Sequence, residues 1–195
     1  MSALHSYTTA DYLEWDTMLS LVRRLFKDGK YRMSLLIGCG SFFGLRISDL
    51  LRLNWSMLLD DSQFVITEKK TGKRRVVKIN AGFQAHIRDC FNALKIENRD
   101  ELCFLSQKGC VFSVQRVNVI FKQIKVKYGL KVKNFSTHSL RKTFGRRVVE
   151  QAGDKSEMAL IKLSELFNHA SPMITRRYLG LRQEQLMEVY DELTF

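Results

Sequence analysis

A mainly helical domain carrying one small antiparallel sheet, an α+β architecture, is the fold class this sequence predicts, and three observations carry the prediction. Apolar residues recur at helical spacing over most of the chain. One pair of β-branched runs flanks a glycine turn. Pro172 is the only proline, and no repeat, low-complexity tract or Pro/Gly/Ser linker divides the 195 residues. With 45% hydrophobic side chains the chain is long enough for one sizeable core, so it reads as a single domain over 1–195.

After Thr8, the apolar residues Tyr12, Trp15, Met18, Leu19, Val22, Leu25 and Phe26 keep helical spacing, and Asp28-Gly29 supplies the stop. A second, largely buried helix is expected from about Tyr31 to Phe43, and a third from Ile47 to Leu53 after a turn at Gly44. Phe64 to Thr67 and Arg75 to Ile79 read as strands of a hairpin whose tip holds Gly72. Helices resume at Asn80 to Leu94 and at Ser113 to Tyr128, the latter ending at Gly129. Ser136-Thr137 can cap a helix containing His138 to Val149, Ser156 one reaching Phe167, and Ser171-Pro172 a short one carrying Tyr178. An amphipathic segment from Arg182 to Leu193 closes the chain.

Lys and Arg total 32 against 20 Asp and Glu, a formal charge of +12 that favours a polyanionic partner, with nucleic acid first among them. A basic protein with a solvated charged surface satisfies the same number. Residues Met1 to Asp16 contain Asp11, Glu14 and Asp16 and no cationic lead into an apolar run, which argues against a signal peptide. The longest apolar-rich stretch, Leu35 to Leu45, is broken by Gly38, Gly40, Ser41 and Gly44 and falls short of the roughly 20 residues a spanning helix needs, so no membrane association is expected. Cys39, Cys90, Cys103 and Cys110 form no C-x-x-C pair, which suits reduced thiols in a cytoplasmic protein and argues against zinc.

Four stretches can carry chemistry. In Thr137-His138-Ser139-Leu140-Arg141, positions three apart lie about 60° from each other around a helix, so His138 and Arg141 can face one ligand while Leu140 and Phe144 turn inward. Imidazole plus guanidinium makes a phosphate grip, although alone this spacing more often marks a capped helix with a surface arginine. In the run from Asn168 to Gly180, His169 sits in a helix-to-helix turn nine residues before Tyr178, which is flanked by Arg176 and Arg177. Cations beside a phenol favour phenolate, yet by composition a packing aromatic is the better bet. Arg46 opens a helix after Gly44, where an anion is welcome, and Asp49 one turn on can orient it or be an ordinary surface neighbour. Glu68 to Arg75 packs five cations into a hairpin tip, suited to a general acid or a groove contact, or simply to discouraging edge pairing.

Taken in order, Arg46, Lys70, His138, Arg141, His169 and Tyr178 resemble the active-site set of the tyrosine recombinase/integrase family: G-L-R, a hairpin lysine, H-x-L-R, and a histidine nine residues before the tyrosine. The resemblance spans about Tyr31 to Gly180. It implies the tyrosine recombinase catalytic-domain fold, and it sets the chain apart from most relatives by the lack of their N-terminal core-binding, SAM-like clamp domain. Lys142 stands where many relatives have a second histidine, and a surface turn near Gly153-Asp154-Lys155 is expected to absorb a slightly longer Arg141 to His169 interval.

The same resemblance implies a chemistry without metal or other cofactor. Tyr178 attacks the scissile phosphate to form a 3′-phosphotyrosyl link and release a 5′-hydroxyl, Arg46 and Arg141 clamp the non-bridging oxygens, and His169 adds a hydrogen bond. Lys70 is the candidate general acid, with Lys69 and Lys73 as fallbacks, and His138 the candidate proton acceptor. Lys69, Lys73, Arg74, Arg75, Lys142, Arg176 and Arg177, with Lys122, Lys125, Lys127, Lys131 and Lys133, are expected to contact DNA. The implied partner is double-stranded DNA at an inverted-repeat recombination site, bound by a monomer that forms a homo-tetramer in the synaptic complex, in a bacterial, nucleoid-associated setting. The segment from Arg182 to Phe195 docks on a neighbouring protomer in that picture, or packs within its own domain. Two alternatives stay open: a non-cleaving DNA-binding regulatory module on the same fold, and a type IB topoisomerase-like relaxer.

Overall fold

The structure, a computed structural model, describes residues 10–181. Their contacts form two compact units, with the boundary between Phe144 and Gly145. The first holds α1 (Trp15–Lys27), α2 (Tyr31–Phe43), α3 (Ile47–Leu50), α4 (Trp55–Leu59), β1 (Gln63–Thr67), β2 (Arg74–Lys78), α5 (Ala81–Leu94), α6 (Val114–Lys127) and the start of α7 (Thr137–Ala152). The second holds the rest of α7, a 3-10 turn at Gly153–Lys155, α8 (Ser156–Phe167) and α9 (Pro172–Leu179). That turn lies where a surface turn is expected.

The first helix begins at Trp15, later than its apolar spacing suggests. The reason is that the preceding backbone is already committed. The Leu13 N–H donates to Thr143 Oγ1 at 2.8 Å, and Asp11 Oδ2 accepts from the amides of Lys133 and Asn134 at 2.7 and 3.0 Å. These bonds compete with a helical turn for the same donors and acceptors.

Helix α2 is the axis of the first unit. It packs against both α1 and α5, and Met33 through Ser41 are all buried, which is why its sequence shows no amphipathic stripe. Close approach requires its glycines: a Cβ added at Gly40 would lie 2.4 Å from Leu140 Cδ1. Leu140 thus turns inward from α7, as its spacing implies. The helix ends at Gly44, whose left-handed φ of 59° suits glycine and turns the chain toward Arg46.

The hairpin pairs Phe64 with Val77 and Ile66 with Arg75, so Phe64 and Ile66 point into the core while Val65 and Thr67 face out. Gly72 at its tip has φ 68°. Caps define the later helices: Asn80 Oδ1 accepts from the Gly82 and Phe83 amides, Ser113 from Arg116, and Ser171 from Ile174 with Pro172 in the first turn. The short α4, capped by Asn54 through the Met57 amide, is unexpected, and α3 stops at Leu50 rather than Leu53. The segment from Arg182 to Leu193 lies outside the described residues.

Cys39, Cys90 and Cys103 are buried free thiols, and burial pushes all three up in pKa, Cys90 to about 12. They pack as small apolar groups and are poor nucleophiles. Among the described residues, no His/Cys/Asp/Glu group could hold a metal ion, and no helix is long and apolar enough to cross a membrane.

Gly40→Ala is expected to destabilise the fold by about 1–3 kcal/mol, because Leu140 must leave its place. Thermal or denaturant unfolding checks this, with Gly72→Ala in open space as the comparison for left-handed strain alone.

Candidate active site

Two groups of the expected residues are each assembled within one unit. In the first, the organising feature is the C-terminus of α2, whose last carbonyls lack helical partners and carry the negative end of the helix dipole. Arg75 Nη2 donates to Phe43 O at 2.6 Å, and Arg141 Nη1 donates to Gly44 O at 2.6 Å. Arg46, two residues past the turn, has extended backbone (φ −69°, ψ 150°) and donates through Nη1 to Glu68 Oε2 at 2.6 Å. Thr71 Oγ1 donates to the same oxygen at 3.0 Å, and Arg75 Nη1 lies 3.8 Å from Glu68 Oε1. Three guanidiniums therefore gather around one carboxylate that is only 4% exposed.

The electrostatics follow from that geometry. Burial raises the pKa of Glu68, but hydrogen bonds from Thr71 and Arg46, with the charges of Arg46 and Arg141, outweigh it and hold the carboxyl below its ordinary value. Burial lowers Arg75, and the Arg46 charge adds to that while Glu68 opposes it. His138 is exposed on the first turn of α7; partial burial of the ring, then Arg141 and Lys142, depress its pKa. A neutral imidazole at pH 7 can accept a proton.

The structure adds detail that residue spacing does not carry. Glu68 is a carboxylate bonded to Arg46, and Asp49 is fully buried rather than a surface neighbour, accepting the Lys69 amide at 2.8 Å on Oδ1 with Arg52 Nη1 3.8 Å away. Arg75 is partly buried and belongs to the cluster through Glu68. Lys142 is also buried, at 9% exposure, so its ammonium is not on open surface. Arg176 is tied to Glu157. Lys69, Lys70, Lys73, Arg74 and Arg177 are exposed, as are Lys122, Lys131 and Lys133; Lys127 pairs with Asp28, and Lys125 Nζ donates to Lys133 O.

In the second unit, His169 and Tyr178 come together, their rings 5.3 Å apart at 71°. Asn168 in the left-handed conformation (φ 52°) ends α8 and presents His169, whose amide donates to Ser164 O at 2.9 Å. His169 Nδ1 lies 2.9 Å from the hydroxyl of the fully buried Thr175, and Phe167 packs edge-on against both the His169 and Tyr178 rings. The bond to Thr175 fixes the imidazole plane. Leu179 seats against Gly145, where an added Cβ would be 2.6 Å from Leu179 Cδ2, so the turn carrying Tyr178 is held from behind.

Glu68, Thr71 and Thr175 are functional candidates that residue spacing alone did not single out. A signal for Glu68 existed: Phe64, Ile66 and Glu68 alternate, which puts a carboxylate on the buried face amid a cationic run.

A model described as "Phage integrase family" matches residues 14–185. Tyrosine recombinase XerC of Xanthomonas axonopodis pv. citri is 30% identical over 148 residues, 76% of this chain and 46% of that protein. Probable integrase/recombinase YoeC of Bacillus subtilis is 29% identical over 146 residues, covering 75% of this chain and 76% of its own. The chain thus spans about half the length of the XerC relatives it matches. Among solved structures, XerA recombinase aligns with 100% of this chain and 68% of its own at TM-score 0.71 and 21% identity. XerH recombinase bound to palindromic difH aligns with 98% and 56% at TM-score 0.67 and 21% identity. The mainly helical fold with a two-stranded antiparallel sheet is the fold of these recombinase structures.

The depressed carboxyl of Glu68 sets a pH dependence. Its stabilisation is present above the ordinary glutamate value of 4.5 and is lost as pH falls through the lower folded value. The stability gap between the native chain and Glu68→Gln is expected to narrow as pH drops below about 4.5, measured by denaturant titration across pH.

Proposed function

Because the chain belongs to the phage integrase family, we propose that it is a site-specific DNA recombinase that cuts and rejoins strands through a 3′-phosphotyrosyl intermediate on Tyr178. The observation that carries this most is the charge balance at the end of α2. The guanidiniums of Arg46, Arg75 and Arg141 outnumber the nearby carboxylates of Glu68 and Asp49, and Arg52 also lies 3.8 Å from Asp49, so the end of α2 carries excess positive charge to meet the negative charge of a phosphodiester.

In this mechanism the Tyr178 oxygen attacks phosphorus in line and its proton passes to His138, which is held neutral by burial and by its cationic neighbours. The bond from phosphorus to the 5′-oxygen breaks, and that oxygen takes a proton from Lys70 on the exposed hairpin turn. Arg46 and Arg141 bind the non-bridging oxygens, and His169 donates from the ring nitrogen opposite its Thr175 contact. The link conserves the energy of the cut, so a 5′-hydroxyl of the same or another strand reseals it by the reverse path.

Exposed Lys69, Lys73, Arg74 and Arg177 supply backbone contacts to double-stranded DNA, and XerH, described bound to its difH substrate in a post-cleavage complex, supports that partner. The finer assignments are a tetramer on inverted repeats, a monomer when free, and residues 1–195 acting as the catalytic domain in the bacterial cytoplasm.

On a nicked suicide duplex of the cognate site, the protein is expected to form a covalent adduct visible by denaturing gel, and Tyr178→Phe none. An unmodified protein that binds the site without an adduct contradicts recombination and favours a binding module. Arg141→Ala is expected to slow single-turnover cleavage by about 10²–10³-fold. A near-native cleavage rate in that variant contradicts the phosphate clamp.

A further inference from the structure

The structure places the Glu68 carboxylate in direct contact with both Arg46 and the hairpin loop that carries Lys70. We infer that Glu68 is a positioning residue that ties the general-acid loop to the phosphate clamp, so that Lys70 and Arg46 are set by one side chain. The inference rests on the recombinase reading above.

The geometry makes the link specific. The backbone of Glu68 closes the loop at both sides, its N–H donating to Lys73 O at 2.9 Å and its carbonyl accepting from Gly72 N at 2.9 Å. Its side chain then leaves the loop, receives Arg46 at 2.6 Å, and also receives Thr71, the residue after Lys70, at 3.0 Å. The Asp49 bond to the Lys69 amide pins the loop from the residue before Lys70. Lys70 itself is exposed, and its own side chain does not fix where its ammonium sits. What positions it is the short loop held between Glu68 and Asp49. Because Glu68 is buried, its bonds to Arg46 and Thr71 are not diluted by water, and a shift at either end is passed to the other.

The test separates a leaving-group defect from a clamp defect. A 5′-bridging phosphorothiolate leaves as a thiolate and needs no proton donor, so it bypasses whatever acid protonates the 5′-oxygen. Single-turnover cleavage is measured on oxygen and sulphur suicide duplexes for the unmodified protein, Lys70→Ala, Glu68→Gln and Thr71→Val, with DNA affinity measured in parallel. Thr71→Val removes one hydrogen bond at a half-exposed loop position and leaves the Arg46 to Glu68 pair in place, so it probes the tether without threatening the core. Glu68→Gln and Thr71→Val are expected to slow the oxygen substrate by about 10-fold or more, to change affinity less than about 3-fold, and to recover most of the loss on sulphur, as Lys70→Ala does. Equal losses on both substrates, or native rates in both variants, overturn the inference and leave the recombinase reading intact. Absence of an adduct with the unmodified protein overturns the recombinase reading and this inference with it.

Discussion

The structure depends on the way α2 ends. A helix terminus leaves carbonyls without partners, and here two of them, Phe43 O and Gly44 O, are taken by the guanidiniums of Arg75 and Arg141 from a strand and from a later helix. Hydrogen bonds from charged donors are worth about 1.5–3 kcal/mol each, and these also remove the cost of orphaned acceptors. The left-handed turn at Gly44 aims the carbonyls, and the closeness of Leu140 to Gly40 brings α7 near enough for Arg141 to reach. Gathering three arginines is then an electrostatic problem, and buried Glu68 with Asp49 offsets part of it.

That excess of cations is what the proposed recombinase reading takes as the phosphate site. A fully neutralised cluster would be only a structural brace. One with more guanidiniums than carboxylates, and with exposed cations on the adjoining hairpin, favours an anion. The second unit supplies complementary chemistry in its own frame, a histidine held through one nitrogen by buried Thr175 and a tyrosine packed against it through Phe167. Each partner is set by a local device, the left-handed Asn168 for His169 and the Ser171-Pro172 cap for the helix of Tyr178.

Much of this was legible in the residues. Period and caps placed α2, the hairpin, α5, α6 and α9 within a residue or two, because in each a turn residue and an apolar pattern agree. α1 starts late because tertiary bonds at Asp11 and Leu13 override its spacing, and α4 is too short for periodicity to register. The site was harder. Resemblance to the recombinase motifs groups Arg46, Lys70, His138, Arg141, His169 and Tyr178, but which carboxylate meets which arginine depends on which strand face Glu68 occupies and on the depth of Asp49. The burial of Lys142 and the pairing of Arg75 with Glu68 and of Arg176 with Glu157 are tertiary features that residue type does not reveal, since charge usually means exposure.

The central claim is that these arginines, the hairpin lysine and the tyrosine act on one phosphodiester. A crystal structure of the protein trapped covalently on a nicked duplex tests it most directly. The account predicts phosphorus bonded to the Tyr178 oxygen, with the guanidiniums of Arg46 and Arg141 about 3 Å from the non-bridging oxygens and Lys70 toward the 5′ side. A phosphate linked to another side chain, or one held away from both arginines, would contradict it.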